Sequence, residues 1–241
     1  MASPLPTHTH THTLTPAPGT HPHHLFSAYC YRLHHPLPST IHSYNQLSYN
    51  VTELEFNANH LAVARKAAVQ SICLYKNDKN VLPLKPGVRL ALVGPQATMA
   101  GLLTGNYAES ASSGNWGLSI LQALAAQASV IQADGCKDIG CKTSDMGPVN
   151  DAIAKSDTVV VVLGLAFNQY CTGDDDGKTD YCEREGSDRA VIELPGGQQR
   201  LVAAARAAAG SKPVIALLVH GGAIALTPAV IDGVDAIVDA W

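Results

Sequence analysis

The chain has 241 residues, of which 46% are hydrophobic and 15% charged, with a formal net charge of −4. These values are typical of a globular protein with one or two domains. No run of lysine and arginine is long enough to follow a phosphate backbone, and no apolar run reaches the roughly 20 residues of a membrane-spanning helix. We therefore expect neither nucleic acid nor a membrane as a partner.

The first part of the chain, residues 1–48, consists largely of His, Thr, Pro and Ser. Because this composition cannot bury enough apolar surface to offset the entropy of ordering, it predicts low-complexity disorder rather than a metal-binding histidine tract. A predicted linker at 49–57 contains the sequon Asn50-Val51-Thr52, a candidate glycosylation site. The first thirty residues show no apolar core of a signal peptide.

The folded domain is predicted to span residues 58–241. Its first element is predicted as an amphipathic helix, with Cys73 on the inward side, because apolar residues recur at helical spacing at Leu61, Ala64, Ala68, Ile72 and Tyr75. Strands are then predicted at 89–93, 129–132, 158–163, 213–219 and 236–240, and helices at 118–127, 149–155, 197–209 and 228–231. Their alternation predicts a doubly wound, mostly parallel α/β sheet with helices on both faces. Because the chain ends at Trp241, after a predicted buried strand, we expect the domain to be incomplete at its C-terminal end.

One loop is unusually long. Ligands of open α/β sheets bind beyond the carboxyl ends of the strands, and the connection after the strand at 158–163 extends to about residue 190. A connection of this length in a compact α/β domain predicts a functional loop. It ends with Cys182-Glu183-Arg184-Glu185-Gly186-Ser187-Asp188-Arg189, and Leu194-Pro195-Gly196-Gly197-Gln198 follows shortly afterwards.

This pattern, Glu-Gly-x-Asp-Arg followed by Leu-Pro-Gly and a Gln that opens a helix, resembles the acid/base loop of family 3 glycoside hydrolases. Further resemblances extend over about residues 58–241, at Lys76-Asn77 with Leu82-Pro83-Leu84, at Gly105-Asn106-Tyr107 and at 235–241. Gly135-Cys136 followed by Cys141 is similar to the plant-type β-xylosidase branch of the family.

The resemblance implies the C-terminal domain of a retaining, exo-acting β-glycosidase that hydrolyses terminal β-linked sugars without a cofactor, with β-xylosidase preferred. In this family a Glu of the C-terminal domain acts as acid and base, and an Asp of a separate (β/α)₈ barrel acts as nucleophile. Glu185 is the predicted acid/base residue, with Glu183 as the alternative, and Asp188 with Arg189 is expected to support the loop as an ion pair. No Asp of this chain matches the nucleophile motif, so we expect the chain alone to be inactive.

Four cysteines fall in two close pairs, Cys136 with Cys141 and Cys171 with Cys182. The pairs are candidate disulfides, with free surface thiols as the alternative. Oxidised pairs would agree with the sequon in indicating an extracellular or secretory compartment for the full enzyme, although no signal peptide is visible.

A calcium site is a weaker interpretation of the long loop. Counted from Thr172, four acidic residues fall where an EF-hand loop has its ligands, at Asp174, Asp176, Asp180 and Glu183. The first position is not Asp, and a strand replaces the preceding helix, so a hydrated acidic loop is favoured and no metal is expected.

Two other enzyme classes receive little support. His220-Gly221-Gly222 suggests an esterase oxyanion hole, but the chain contains no Gly-x-Ser-x-Gly nucleophile motif. The first strand of the sheet lacks the Gly-x-Gly-x-x-Gly turn of dinucleotide-binding domains. The remaining alternative is a non-catalytic module that binds carbohydrate or docks onto a partner through an exposed apolar face.

Overall fold

The computed structural model describes residues 57–104, 117–166, 181–183 and 189–240. The chain divides into two compact units, residues 1–61 and 62–241. In the first unit the described residues open helix α1 (Ala58–Ser71), where the side chain of Asn57 accepts a hydrogen bond from the Asn59 N–H at 2.9 Å. Asn is a favoured residue at this position because its side-chain oxygen satisfies a free N–H of the first turn.

The second unit contains a sheet whose six described strands are ordered β1-β6-β5-β4-β2-β3. The strands are β1 (Cys73–Asn77), β2 (Arg89–Val93), β3 (Ser129–Ala133), β4 (Thr158–Gly164), β5 (Val214–Val219) and β6 (Ala236–Asp239). All neighbours are parallel except β1, which pairs antiparallel with β6. Every residue of β4 is buried, as expected for the apolar sequence of a central parallel strand covered on both faces.

Helices cover both faces of this sheet. Side chains of α3 (Met146–Ala154), α4 (Gly196–Ala209) and α5 (Pro228–Asp232) form one apolar cluster with Ala91 and Val93 of β2. Helix α2 (Ile120–Ala125) and the 3₁₀ turns at Pro95–Thr98 and Ala100–Thr104 pack in a second cluster with Leu90 and Leu92. Because alternate residues of a strand point to opposite faces, the two clusters lie on opposite sides of the sheet. The predicted doubly wound α/β fold is confirmed.

Two local signals start the shorter helices. Ser119 and Gln122 form a reciprocal capping box at the start of α2, with hydrogen bonds of 2.9 and 3.2 Å. The side chain of Asp145 accepts a hydrogen bond from the Gly147 N–H at 3.1 Å at the start of α3. Both arrangements satisfy N–H groups that have no partner inside the helix.

The prediction for the first element is wrong at its end, at residues 72–75, and in the buried face it expected. Helix α1 ends at Ser71 and buries none of its side chains, whereas Tyr75 belongs to β1. Pairing with β6 fixes this stretch as a strand, and Lys76 strengthens the pairing by donating to the carbonyl oxygens of Ile231 and Val234, each at 2.7 Å. Tertiary pairing thus overrides the helical spacing of the apolar residues. Cys73, expected to be buried, is an exposed free thiol of this edge strand.

A charged network joins the starts of β5 and β6 to the end of α4. Arg206 donates to Asp235 Oδ2 at 2.8 Å and to the carbonyl oxygens of Gly210 and Lys212. Asp235 Oδ2 also accepts a hydrogen bond from the Val214 N–H at 2.9 Å. The network holds these elements at the amino end of the sheet, opposite the end where ligands bind in folds of this kind.

Among the described residues, no helix has both the length and the apolarity needed to cross a lipid bilayer.

Candidate active site at the carboxyl edge of the sheet

The long loop leaves the sheet at Gly164, the last residue of β4. This residue has φ +146°, and a Cβ there would collide with the carbonyl oxygen of Val219 on β5, so glycine permits the close approach of the two strands. The buried side chain of Gln198 fixes the same point. Its Oε1 accepts from the Gly164 N–H at 2.9 Å, and its Nε2 donates to the carbonyl oxygens of Gly164 and Ile139, each at 2.7 Å. The Gln of the Leu-Pro-Gly-Gly-Gln sequence therefore holds the root of the loop.

The end of the loop returns beside its start. The Ala166 N–H donates to the carbonyl oxygen of Tyr181 at 2.7 Å, and the Glu183 N–H donates to the carbonyl oxygen of Ala166 at 2.8 Å. Tyr181 is fully buried, and a Cβ on Gly140 would lie only 2.6 Å from its ring. The segment 181–183 is thus fixed at the carboxyl edge of the sheet before the chain reaches Glu185.

The residues under Tyr181 belong to a small closed loop. Cys136 and Cys141 form a disulfide with their Cα atoms 4.9 Å apart, and both side chains are buried. Cys182 is also disulfide-bonded, whereas its predicted partner Cys171 lies outside the described residues. The candidate site therefore packs, through Tyr181, against a segment that is closed by a disulfide.

The carboxylate of Glu183 lies against the turn that follows β5. Its Oε1 accepts a hydrogen bond from the Gly221 N–H at 2.5 Å. A Cβ added to Gly222 would lie 2.5 Å from Oε2, so the second glycine leaves the space that this carboxylate occupies. Oε2 is buried, and no described residue forms a hydrogen bond with it. The Gly-Gly turn, which suggested an oxyanion hole, thus binds the carboxylate of Glu183 from the same chain.

A buried pair of polar side chains lies at the same turn. His220 Nδ1 is 2.8 Å from the carbonyl oxygen of Gly222, and His220 Nε2 is 3.3 Å from Asp239 Oδ1. The side chains of His220 and Asp239 are only 4% and 8% exposed. A carbonyl oxygen accepts but cannot donate, so Nδ1 carries a hydrogen. The contact between Nε2 and Asp239 is close but does not have the geometry of a hydrogen bond.

Asp239 also influences the exposed edge strand. Its negative charge raises the pKa of the Tyr75 phenol, and smaller contributions come from burial, from Cys73 and from a hydrogen bond between the two side chains. The His220–Asp239 pair was not predicted from the sequence. The available signal was that His220 directly follows the predicted strand at 213–219 and that Asp239 lies near the end of the one at 236–240, because the carboxyl ends of neighbouring parallel strands lie at one edge of a sheet.

Arg189 closes the other side of the loop. Its guanidinium donates to the carbonyl oxygen of Ala223 at 3.2 Å and to that of Glu193 at 2.7 Å. The Ala225 N–H adds a hydrogen bond to the carbonyl oxygen of Ile192 at 2.8 Å. Arg189 thus joins the loop to the segment after β5, and its ion pair with Asp188 stays a prediction because Asp188 lies outside the described residues.

Several predicted site residues lie outside the described part of the chain, namely Asn50, Cys171, Asp174, Asp176, Asp180, Glu185 and Asp188. Their predicted roles therefore stay predictions. Within the ranges that the structure describes, no group of three or more His, Cys, Asp or Glu side chains lies close enough to hold a metal ion. Glu183, the last residue of the calcium pattern, is engaged with the Gly221 N–H.

Residues 72–241 match the family model of the glycosyl hydrolase family 3 C-terminal domain. Because this match covers more than half of the chain, the chain belongs to glycosyl hydrolase family 3, as its acid/base-loop motif indicated.

Two curated relatives are plant enzymes. β-D-Xylosidase 3 of Arabidopsis thaliana is 34% identical over 172 residues, which cover 70% of this chain and 20% of the relative. β-Xylosidase/α-L-arabinofuranosidase 1 of Medicago sativa subsp. varia is 33% identical over 162 residues, which cover 66% and 19%. The chain thus spans about a fifth of the length of the curated relatives that it matches.

The fold is also similar to a solved structure. The β-glucosidase from Listeria innocua in complex with glucose superposes with a TM-score of 0.57 at 24% identity, over 77% of this chain and 23% of that one. At this identity the similarity concerns the fold alone, and it supports the assignment to an α/β sandwich domain.

Proposed function

We propose that this chain supplies the acid/base part of a retaining, exo-acting β-glycosidase that hydrolyses terminal β-linked sugars, with β-D-xylosides preferred. The observation that supports this most directly is the docking of Glu183 on the Gly221 N–H at the carboxyl edge of the sheet. This edge is where α/β domains bind ligands, and the docked segment leads into the family's acid/base motif. The names of the plant relatives support the preference for xylosides.

The proposed chemistry needs two carboxylates on either side of the scissile bond, about 5 to 5.5 Å apart in a retaining enzyme. An Asp of a barrel domain attacks the anomeric carbon while Glu185 donates a proton to the leaving oxygen. Glu185 then takes a proton from the water that hydrolyses the glycosyl-enzyme. No cofactor participates in either step, and the substrate is a β-linked oligosaccharide or glycoside bound together with the barrel domain.

Between the two candidate acids, we assign the role to Glu185 from its position in the motif, with Glu183 as the alternative. Oε1 of Glu183 accepts a hydrogen bond from the Gly221 N–H, whereas its buried Oε2 has no hydrogen bond from a described residue. Glu185 follows two residues later in the sequence. A residue just beyond a firmly docked position is well suited to a carboxylate that must be held precisely.

The proposed compartment is extracellular or secretory. The Cys136–Cys141 disulfide and the bonded Cys182 support this, because disulfides persist in oxidising compartments. We expect two reactive thiols, those of Cys30 and Cys73, when the unreduced chain is unfolded, and all six cysteines to react after reduction. Six reactive thiols before reduction would contradict both proposed disulfides.

A chimera tests the proposed activity. Residues 72–241 replace the matching stretch of the Arabidopsis β-D-xylosidase 3, which leaves the remaining four-fifths of the relative to supply the nucleophile. We expect the chimera to hydrolyse an aryl β-D-xyloside with release of β-xylose as the first product, and Glu193→Gln, at an exposed loop position, to leave this activity unchanged. A folded chimera without glycosidase activity would contradict the proposal.

The chain alone provides the complementary measurement. Because a lone general acid cannot form the glycosyl-enzyme, we expect no turnover of the aryl xyloside above background. Turnover by the chain itself, abolished by Glu185→Gln, would show that the proposed division of the two carboxylates is wrong.

A second candidate function is a non-catalytic docking module whose partner is the barrel domain of a family 3 enzyme. One observation favours it: large apolar side chains are exposed on α1 and on the edge strand, at Val63 (68%), Val69 (64%), Leu74 (55%) and Tyr75 (66%). We expect Leu74→Glu to weaken binding to a separately expressed barrel domain if this function holds. Equal binding by the wild type and this variant would contradict it.

A further inference from the structure

The buried pair behind the glycine turn has no part in the proposed proton transfers. We propose that His220 and Asp239 are positioning residues for the acid/base loop: together they hold the Gly221–Gly222 turn in the shape that receives the Glu183 carboxylate. This inference rests on the proposed function, because it assigns the two residues to the same loop. It requires no contact between them and the sugar.

The contacts form a continuous chain across the edge of the sheet. Oδ1 of Asp239, at the end of β6, lies 3.3 Å from Nε2 of His220, which directly follows β5. Nδ1 of the same ring binds the carbonyl oxygen of Gly222 at 2.8 Å. This last contact fixes the peptide group between Gly222 and Ala223. The Gly221 N–H, at the other end of the same two-glycine turn, donates to Glu183 Oε1.

Burial makes a purely stabilising role for the pair a poor explanation. Two side chains that are 4% and 8% exposed lose most of their hydration, and burial of polar groups costs free energy that their mutual contact must first offset. An effect on the backbone conformation of the glycine turn explains the pair better. The imidazole fixes one of the conformations open to two successive glycines, which have more backbone freedom than any other residue type.

The fixed turn holds Glu183 in a precise position. Glu183 is attached on both sides, by its N–H to the carbonyl oxygen of Ala166 and by its carboxylate to Gly221, and Glu185 lies two residues further. A displacement of about 1 Å at a catalytic group can lower the rate about 100-fold. Loosening the turn is therefore expected to make the position of the acid/base loop less precise without changing any residue that contacts sugar.

The experiment uses the full chain and NMR hydrogen exchange at the Gly221 amide. Asp239→Asn keeps the shape of the side chain and removes its charge, and Asp232→Asn makes the same change at an exposed position at the end of α5. We expect the Gly221 amide to exchange roughly tenfold faster in Asp239→Asn, because a loosened turn weakens the hydrogen bond from the Gly221 N–H to the Glu183 carboxylate. Its amide proton resonance should also move upfield. Neither change is expected in Asp232→Asn, and the Val214 amide, at the other end of β5, should keep its protection in both variants.

A folded Asp239→Asn variant with the wild-type exchange rate and proton shift at Gly221 would overturn the inference. His220→Gln provides a second variant, judged by the same two measurements at Gly221. In the unmodified chain, a ¹⁵N spectrum of the His220 ring is expected to show hydrogen on Nδ1, and a bare Nδ1 would also overturn the inference. These readouts do not involve hydrolysis, so they can fail while the acid/base role of Glu185 holds, and the reverse is equally possible.

Discussion

Replacing Gln198 with Leu tests how firmly the root of the long loop is held. The side chain of Gln198 is buried and forms hydrogen bonds with three backbone groups: the Gly164 N–H at 2.9 Å and the carbonyl oxygens of Gly164 and Ile139 at 2.7 Å. Leucine has a similar size but can neither donate nor accept. The substitution therefore removes all three hydrogen bonds.

The size of the effect follows from these contacts. At about 1 to 1.5 kcal/mol for each buried backbone group that loses a partner, the three hydrogen bonds together represent about 3 to 4.5 kcal/mol. The apolar leucine side chain returns about 1 kcal/mol through burial. We therefore expect the free energy of unfolding to fall by about 2 to 3.5 kcal/mol. With a urea m-value of about 2 kcal/mol per M, this corresponds to a midpoint lower by about 1 to 1.7 M.

The assay is urea unfolding of the full chain, followed by circular dichroism, beside Gln127→Leu as the matched control. Gln127 is exposed after helix α2, so the same change of residue type is expected to alter the midpoint very little. A midpoint for Gln198→Leu close to that of Gln127→Leu would refute the reasoning. It would mean that the backbone groups at the end of β4 find other partners without loss of free energy.

Two further variants test charged contacts elsewhere in the fold. Arg206→Met leaves the largely buried Asp235 carboxylate without its guanidinium partner. We expect the free energy of unfolding, measured in urea, to fall by about 2 to 3 kcal/mol. A loss below about 0.5 kcal/mol would contradict the role given to this network. The Arg89 side chain lowers the pKa of the exposed Asp157 from 3.8 to about 2, chiefly by hydrogen bonding. Because the folded-state pKa is depressed, the stabilisation exists well above pH 3.8 and is lost as the pH falls towards 2. Asp157→Asn should therefore unfold at lower urea than the wild type at neutral pH but not at about pH 2, and an equal difference at both pH values would contradict this cause.

Most of the sheet could be predicted because burial and sequence pattern coincide there. The β-branched run of β4 is apolar throughout, and the strand is buried on both faces, so a local pattern was enough. Strand β1 could not be predicted in the same way. Its residues follow a helical spacing of apolar side chains, and only pairing with β6, from the other end of the chain, makes them a strand.

The candidate site, too, could be predicted only in part from the sequence. The motif around Glu183 and Gln198 was visible because its residues are close in sequence. Its supports were not visible, because they depend on strand order: His220 meets Asp239 only because β5 and β6 are neighbours in the sheet. Likewise, nothing in the sequence indicates that the Gly221 N–H receives the carboxylate of Glu183 rather than a substrate oxygen.

The central claim is that Glu185, and not Glu183, is the acid/base residue, and the leaving-group dependence of the chimera tests it most directly. A general acid matters greatly for a xylobiose substrate, whose leaving sugar must be protonated, and little for a dinitrophenyl xyloside, whose leaving group needs no proton in the first step. We predict that Glu185→Gln lowers kcat/KM for xylobiose by about 100-fold or more while affecting the dinitrophenyl substrate far less. Glu183→Gln, the matched change two residues earlier, keeps an oxygen that can accept from the Gly221 N–H, so we expect no comparable selective loss on xylobiose. The opposite result, with the selective loss in Glu183→Gln and equal losses in Glu185→Gln, would contradict the account.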